Sequence, residues 1–209
     1  GQVIAAPVTF PARMHEVERT FALGRSLGVT GTPGPLRIFP DAKEVLELKQ
    51  RIGAGPFTAV HISARRPAQR WPMDRYAALA ARLSKQGPVL LLWAPGSNDN
   101  PRHPGDDEAA AEILRSATGQ ASVPLIPLAT PNLKALIAAL SLADRVVCPD
   151  GGAMHLGAAL GKPVVALFGD SQVERWRPWG VAHRVVRPAS GNLADLPLEP
   201  VLEALRALD

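Results

Sequence analysis

The residues that could do chemistry gather in two short stretches. The first is PDGGAMH, Pro149 to His155, which joins an acid, two glycines and a histidine between the apolar runs RVVC and PVVALFG. Gly151 and Gly152 let a backbone come close to a ligand. The free N–H groups and dipole of a helix starting there favour an anion such as a diphosphate. The second stretch is ARRPAQRWP, Ala64 to Pro72, which comes after Ser63 and supplies Arg65, Arg66 and Arg70. One stretch thus supplies arginines and the other bare amides at a helix start, so a phosphate site is the economical reading. Plainer readings stand beside this one. Asp150 before glycine can simply cap the helix. His155, in an alanine-rich helix, can be a satisfied core histidine facing Cys148 or the next strand. The arginines can form a solvated turn, with Trp71 and Pro72 opening the next helix.

Other chemistries lack their residues. The five histidines have no metal-ligand spacing, and the single cysteine, Cys148, has no partner and reads as inert core. In GDDE, Gly105 to Glu108, the acids fall in the first turn of an expected helix, where they complement its dipole. There is no G-x-S-x-G elbow, Walker loop or G-x-G-x-x-G motif.

The elements that must position these stretches form a regular pattern. From Pro56 onward, strand-like runs alternate with helical ones: FTAVHIS, a helix from Met73 to Lys85, PVLLLW, a helix from Asp106 to Thr118, VPLIPL, a helix from Asn132 to Ala143, RVVC, a helix from Gly152 to Leu160, and PVVALFG. A last strand HRVVR and a helix from Leu198 to Leu208 complete it. This alternation predicts an α/β domain, a doubly wound, Rossmann-like parallel sheet covered on both faces. With strand order 3-2-1-4-5, ligands bind where the order reverses, between the first and fourth strands. Both chemical stretches leave those strands.

Upstream, ARMHEVERTFALGRSLGV reads as one amphipathic helix stopped by Gly28, and TGTPGPLRIFPDA as a linker leading to a helix over Ala42 to Ile52. The expected organisation is therefore residues 1–29 as the end of a preceding domain, 30–55 as linker and helix, and 56–209 as the ligand-binding domain. The chain opens on Gly1, so the natural protein is expected to extend further toward the N-terminus. Its 209 residues carry a net charge of +4 scattered along the chain, which favours anionic small molecules over a nucleic acid. Cysteine usage and the lack of a long apolar run predict a cytoplasmic protein.

PDGGAMHLGAALGKPVVALFG followed by WRPWG resembles the C-terminal domain of glycosyltransferase family 9, the lipopolysaccharide heptosyltransferases. HISARRPAQRWP is similar to that family's first-strand loop, and HEVERTFALGRSLGV to the helix leaving its N-terminal domain. The resemblance implies the C-terminal, donor-binding half of a GT-B enzyme that is inverting, needs no metal or other cofactor, and takes a nucleotide sugar, with an ADP-sugar favoured. It implies that Asp150 contacts the transferred sugar and that Gly151, Gly152 and His155 hold the diphosphate, with Met154 beside them. Ser63, Arg65, Arg66, Gln69 and Arg70 would border the phosphates, Asp107 or Glu108 the ribose, and the loop from Leu128 to Asn132 the base. The partners implied are the nucleotide sugar and, through the N-terminal half, a glycolipid acceptor, at most peripherally at the inner face of the inner membrane. The chain departs from the family pattern in having Gln69 for a common lysine and Gly151 for a hydroxyl residue. It also contains nothing matching the catalytic base, which the family carries in its N-terminal domain. Gln69 and Gly151 keep open a non-catalytic nucleotide-sugar-binding module, and the same fold's placing of a diphosphate at a helix N-terminus keeps open a GT-B UDP-sugar epimerase.

Overall fold

The computed structural model describes residues 9–100, 104–118 and 125–208. Val123 and Pro124 of the third expected strand, and residues 1–8 of the expected N-terminal segment, lie outside these.

Two helices precede the sheet, each with its own start signal. His15 opens α1, Glu16–Arg25: its Nδ1 accepts the Val17 N–H (3.1 Å) and Glu18 accepts the N–H of His15 (3.0 Å). That reciprocal capping satisfies two first-turn donors. Asp41 caps α2, Ala42–Ile52, by accepting from the N–H groups of Lys43 and Glu44, and Gly53 at φ 82° stops it.

The body is one parallel sheet in the order β3-β2-β1-β4-β5-β6. Its strands are β1 (Phe57–His61), β2 (Val89–Trp93), β3 (Leu125–Ala129), β4 (Ala143–Pro149), β5 (Val164–Leu167) and β6 (His183–Val186). The helices α3 (Met73–Leu83), α4 (Asp107–Thr118), α5 (Leu133–Leu142), α6 (Gly152–Ala159), α7 (Val173–Trp176) and α8 (Leu198–Arg206) connect the strands or come after them. Alternation along the strands splits the core in two. Val60, Leu91, Val147 and Leu167 pack with Leu79 of α3, Ile113 of α4 and Val201 of α8. Ala59, Leu90, Val146 and Val164 pack with Leu140 of α5 and Met154 of α6. Full burial of one large apolar side chain contributes about 1.5–3 kcal/mol, so the two-sided core dominates this fold's stability.

The observed order extends the expected one, and the reversal falls between β1 and β4 as anticipated. Two details differ. β4 begins at Ala143 rather than at the apolar run from Arg145, because backbone pairing of Ala143 with Phe57 extends it through polar residues. The four-residue helix α7 was not expected, since a single turn carries no periodicity to read.

His61 ends β1 at 7% exposure with a buried Nδ1 that has no partner among the described residues. Burial lowers its pKa to about 4. Below pH 6.5 the unfolded chain takes up a proton that the folded one refuses until about pH 4, so stability falls as pH drops through that window. The expected loss at pH 5 is about 2 kcal/mol. Urea unfolding at pH 7 and pH 5 checks it, with His61→Leu expected to remove that part of the pH dependence.

Candidate functional site

β1, β4 and β5 lie side by side, and their C-terminal ends enclose a cavity of about 650 Å³. The segment after β1 supplies Ser63, Arg65, Arg66 and Gln69, and the turn after β4 supplies Asp150, Gly151 and Gly152. His155 stands one turn into α6. These side chains, singled out from the sequence as separate motifs, share one crevice. Close backbone approach makes this possible. A Cβ on Gly169, just past β5, would stand 2.3 Å from the carbonyl oxygen of Ala68 in the β1 loop, so only glycine lets the two segments meet.

Gly151 is the N-cap of α6 and no side chain caps the helix. The first-turn N–H groups lack intrahelical acceptors and remain available at the cavity wall, where the helix dipole adds partial positive charge. Asp150 is not a cap: its carboxylate accepts from Gln69 Nε2 (3.0 Å), which also donates to Ser171 Oγ (2.9 Å). Gln69, 8% exposed, thus ties together the segments leaving β1, β4 and β5. Ser63 Oγ accepts the Ala94 N–H at 2.8 Å and holds the β2 end against the β1 end. Arg66 reaches Asp170 across the mouth, whereas Arg65 is exposed and makes no ion pair among the described residues.

His155 is half-buried rather than in the core, its ring edge-on to Trp176 with centroids 6.3 Å apart. Burial lowers its pKa, the charge of Asp150 opposes that shift, and His15 adds to it. At neutral pH the ring is therefore neutral, with one N–H to donate.

Several expected site residues serve elsewhere. Arg70 does not line the crevice: its Nη1 donates to Oδ1 of Asp106 at 2.9 Å, and Asp106 is 4% exposed. The arginines that line the crevice are Arg65 and Arg66. The side chain of Met154 cannot touch a ligand there, being fully buried in the core under α6. Asp107 accepts from Trp93 Nε1 (2.7 Å) and the Gly96 N–H (2.9 Å), which holds the loop after β2 and lowers its pKa. Neither Asp107 nor the exposed Glu108 lines the crevice. The loop from Leu128 to Asn132 borders a different cavity of about 300 Å³, shared with Glu44, Glu47 and Arg51 of α2.

The plainer readings hold for Trp71 and Cys148. Trp71 is 3% exposed, meets Tyr76 edge-on and donates to the Leu196 carbonyl at 2.8 Å. Cys148 is fully buried, and burial pushes its thiol pKa up, away from reactivity. Ser171 and Trp176 line the crevice unforeseen. The only sequence signal for Trp176 was its place in WRPWG.

Comparison with known proteins identifies the family and the fold. The chain is 30% identical over 158 residues to lipopolysaccharide heptosyltransferase 2 of Salmonella typhimurium, a match covering 68% of this chain and 43% of that protein. The chain thus spans about half the length of the curated relatives it matches. A crystal structure of a glycosyl transferase family 9 protein from Veillonella parvula superposes with a TM-score of 0.80 at 21% identity, over 97% of this chain and 62% of that one. The structure of the ADP-heptose lipopolysaccharide heptosyltransferase II of Escherichia coli gives 0.69 at 26% identity, over 88% and 56%. These likenesses bear out the expected Rossmann-like fold. The family model for glycosyltransferase family 9 (heptosyltransferase) matches residues 5–203, and the chain belongs to that family.

Proposed function

We propose that this chain is the donor-binding part of an inverting, metal-independent glycosyltransferase that moves a heptose or related sugar from an ADP-sugar to lipopolysaccharide core. The observation that carries the reading is the uncapped start of α6 facing Arg65, Arg66, Asp150 and His155 around one crevice. The names of the relatives support the class of reaction, and that of the Escherichia coli structure, 26% identical, supports ADP-heptose as donor.

In the proposed reaction an acceptor hydroxyl attacks the anomeric carbon, the bond from that carbon to the diphosphate oxygen breaks, and ADP departs with the bonding electrons. The hydroxyl proton passes to a carboxylate in the part of the enzyme that binds the acceptor. This chain's residues act on the departing charge. The amides of Gly151 and Gly152 and the dipole of α6 face the diphosphate, and neutral His155 donates its N–H. Arg65 and Arg66 supply positive charge, Arg66 by exchanging Asp170 for phosphate. Asp150, fixed by Gln69, accepts from a hydroxyl of the transferred sugar. The glycolipid acceptor brings the full enzyme to a membrane surface, and no helix among the described residues is long and apolar enough to cross one.

Calorimetric titration with ADP, UDP, GDP and CDP tests the reading. ADP is expected to bind selectively, and His155→Ala to weaken it roughly tenfold, the loss of one charge-assisted hydrogen bond. Equal binding of all four nucleotides, or of none, would overturn the ADP-sugar assignment. Gln69 in place of a cation favours one second reading, a module that binds nucleotide sugar without transferring it. Turnover of ADP-heptose by the full-length protein would exclude that.

A further inference from the structure

We infer that Glu16 and Arg175 are positioning residues that hold Trp176 against His155, so that the seating of α1 and ligand binding in the crevice are coupled. The coupling to ligand rests on the crevice reading above. Arg175 Nε donates to Glu16 Oε2 at 2.7 Å, and the same guanidinium lies over the Trp176 ring, 4.8 Å from its centroid. Trp176 in turn meets His155 edge-on, and these two residues wall both the crevice and an adjoining apolar groove of about 600 Å³. Val17 and Phe21 of α1 form the far side of that groove.

The start of α1 grips the C-terminal end of α7 at two points, Arg175 and Arg177. His15, 2% exposed, accepts the Val17 N–H at Nδ1, so Nε2 carries the proton and donates to the Arg177 carbonyl at 2.8 Å. Its ring lies tilted against Trp179, with centroids 4.6 Å apart. A single turn such as α7 has no stability of its own, so Trp176 stays where tertiary contacts hold it. The Glu16–Arg175 pair is about one-third exposed at each partner and adds little to global stability. Its consequence is geometric: it fixes the plane on which Trp176 rests.

The test tracks the His155 ring by NMR against pH and ADP affinity by calorimetry in this chain and in Arg175→Gln, Glu16→Gln and Arg175→Lys. Loss of the clasp lets Trp176 swing away and water reach His155, so its pKa is expected to rise toward 6.5 in both glutamine variants. The titratable groups that act on His155 are Asp150 and His15, and neither is substituted. The two glutamine variants change local charge in opposite senses, so a shared upward shift reports hydration rather than charge. ADP affinity is expected to fall about three- to tenfold in both, and Arg175→Lys to retain most of it. A His155 titration unmoved in both glutamine variants would overturn the inference, as would wild-type ADP affinity in both. Failure of the wild-type chain to bind ADP would overturn the proposed donor and the coupling to it, while the His155 titration still decides whether the clasp positions Trp176.

Discussion

Gly169→Ala is expected to lower stability by about 1–3 kcal/mol, the usual cost of overpacking, and to weaken ADP binding roughly tenfold or more. The added methyl would stand 2.3 Å from the Ala68 carbonyl oxygen and 3.1 Å from that of Gly191, both backbone atoms. Backbone cannot rotate aside as a side-chain tip can, so the turn Pro67–Gln69 has to move. That turn carries Gln69, whose amide holds Asp150 and Ser171. The substitution therefore acts on the crevice without touching a ligand. Gly55→Ala is the control: its Cβ would meet nothing nearer than Phe57 Cζ at 3.8 Å, and both readouts are expected to stay near wild type. Urea unfolding and ADP calorimetry on the two variants check the pair. Undiminished ADP affinity in Gly169→Ala would show that Gln69 does not organise the site.

Such a contact was out of reach of the sequence, and the reason applies to the whole site. The sheet was legible because burial on both faces writes a local signal, a continuous apolar run such as VLLLW or VVAL bounded by turn residues. The crevice was legible because in this topology the end of a strand fixes the position of the loop leaving it, so the glycines after β4 and the arginines after β1 had to face each other. The allocation of partners was not. Arg70 and Arg66 stand in the same loop with the same chemistry, yet one pairs with a carboxylate at 4% exposure and the other with a half-exposed one. Met154 and His155 are neighbours on α6, and only the helix's rotation against the sheet buries the first and turns the second to the cavity. Trp176 reaches the crevice from a four-residue helix placed by contacts with a segment far away in sequence.

Arg70→Met separates these allocations by experiment. A phosphate ligand at this position would lose ADP affinity on substitution and leave the fold intact. The structure calls for the reverse. Asp106 receives one hydrogen bond from Arg70, and its other oxygen, Oδ2, is buried with no partner among the described residues. Removing the guanidinium leaves a carboxylate shut away from water with nothing to balance it. The expected destabilisation is about 3 kcal/mol, the low end for a broken buried pair because Arg70 itself is partly solvated. ADP affinity, measured well below the lowered melting temperature, is expected to stay within about threefold of wild type. Adding Asp106→Asn removes the stranded charge and should restore a large part of the stability, a non-additive result that two independent sites cannot give. If Arg70→Met instead binds ADP tenfold or more weakly while melting like the wild type, Arg70 belongs to the phosphate site and its pairing with Asp106 is a resting state that the ligand breaks.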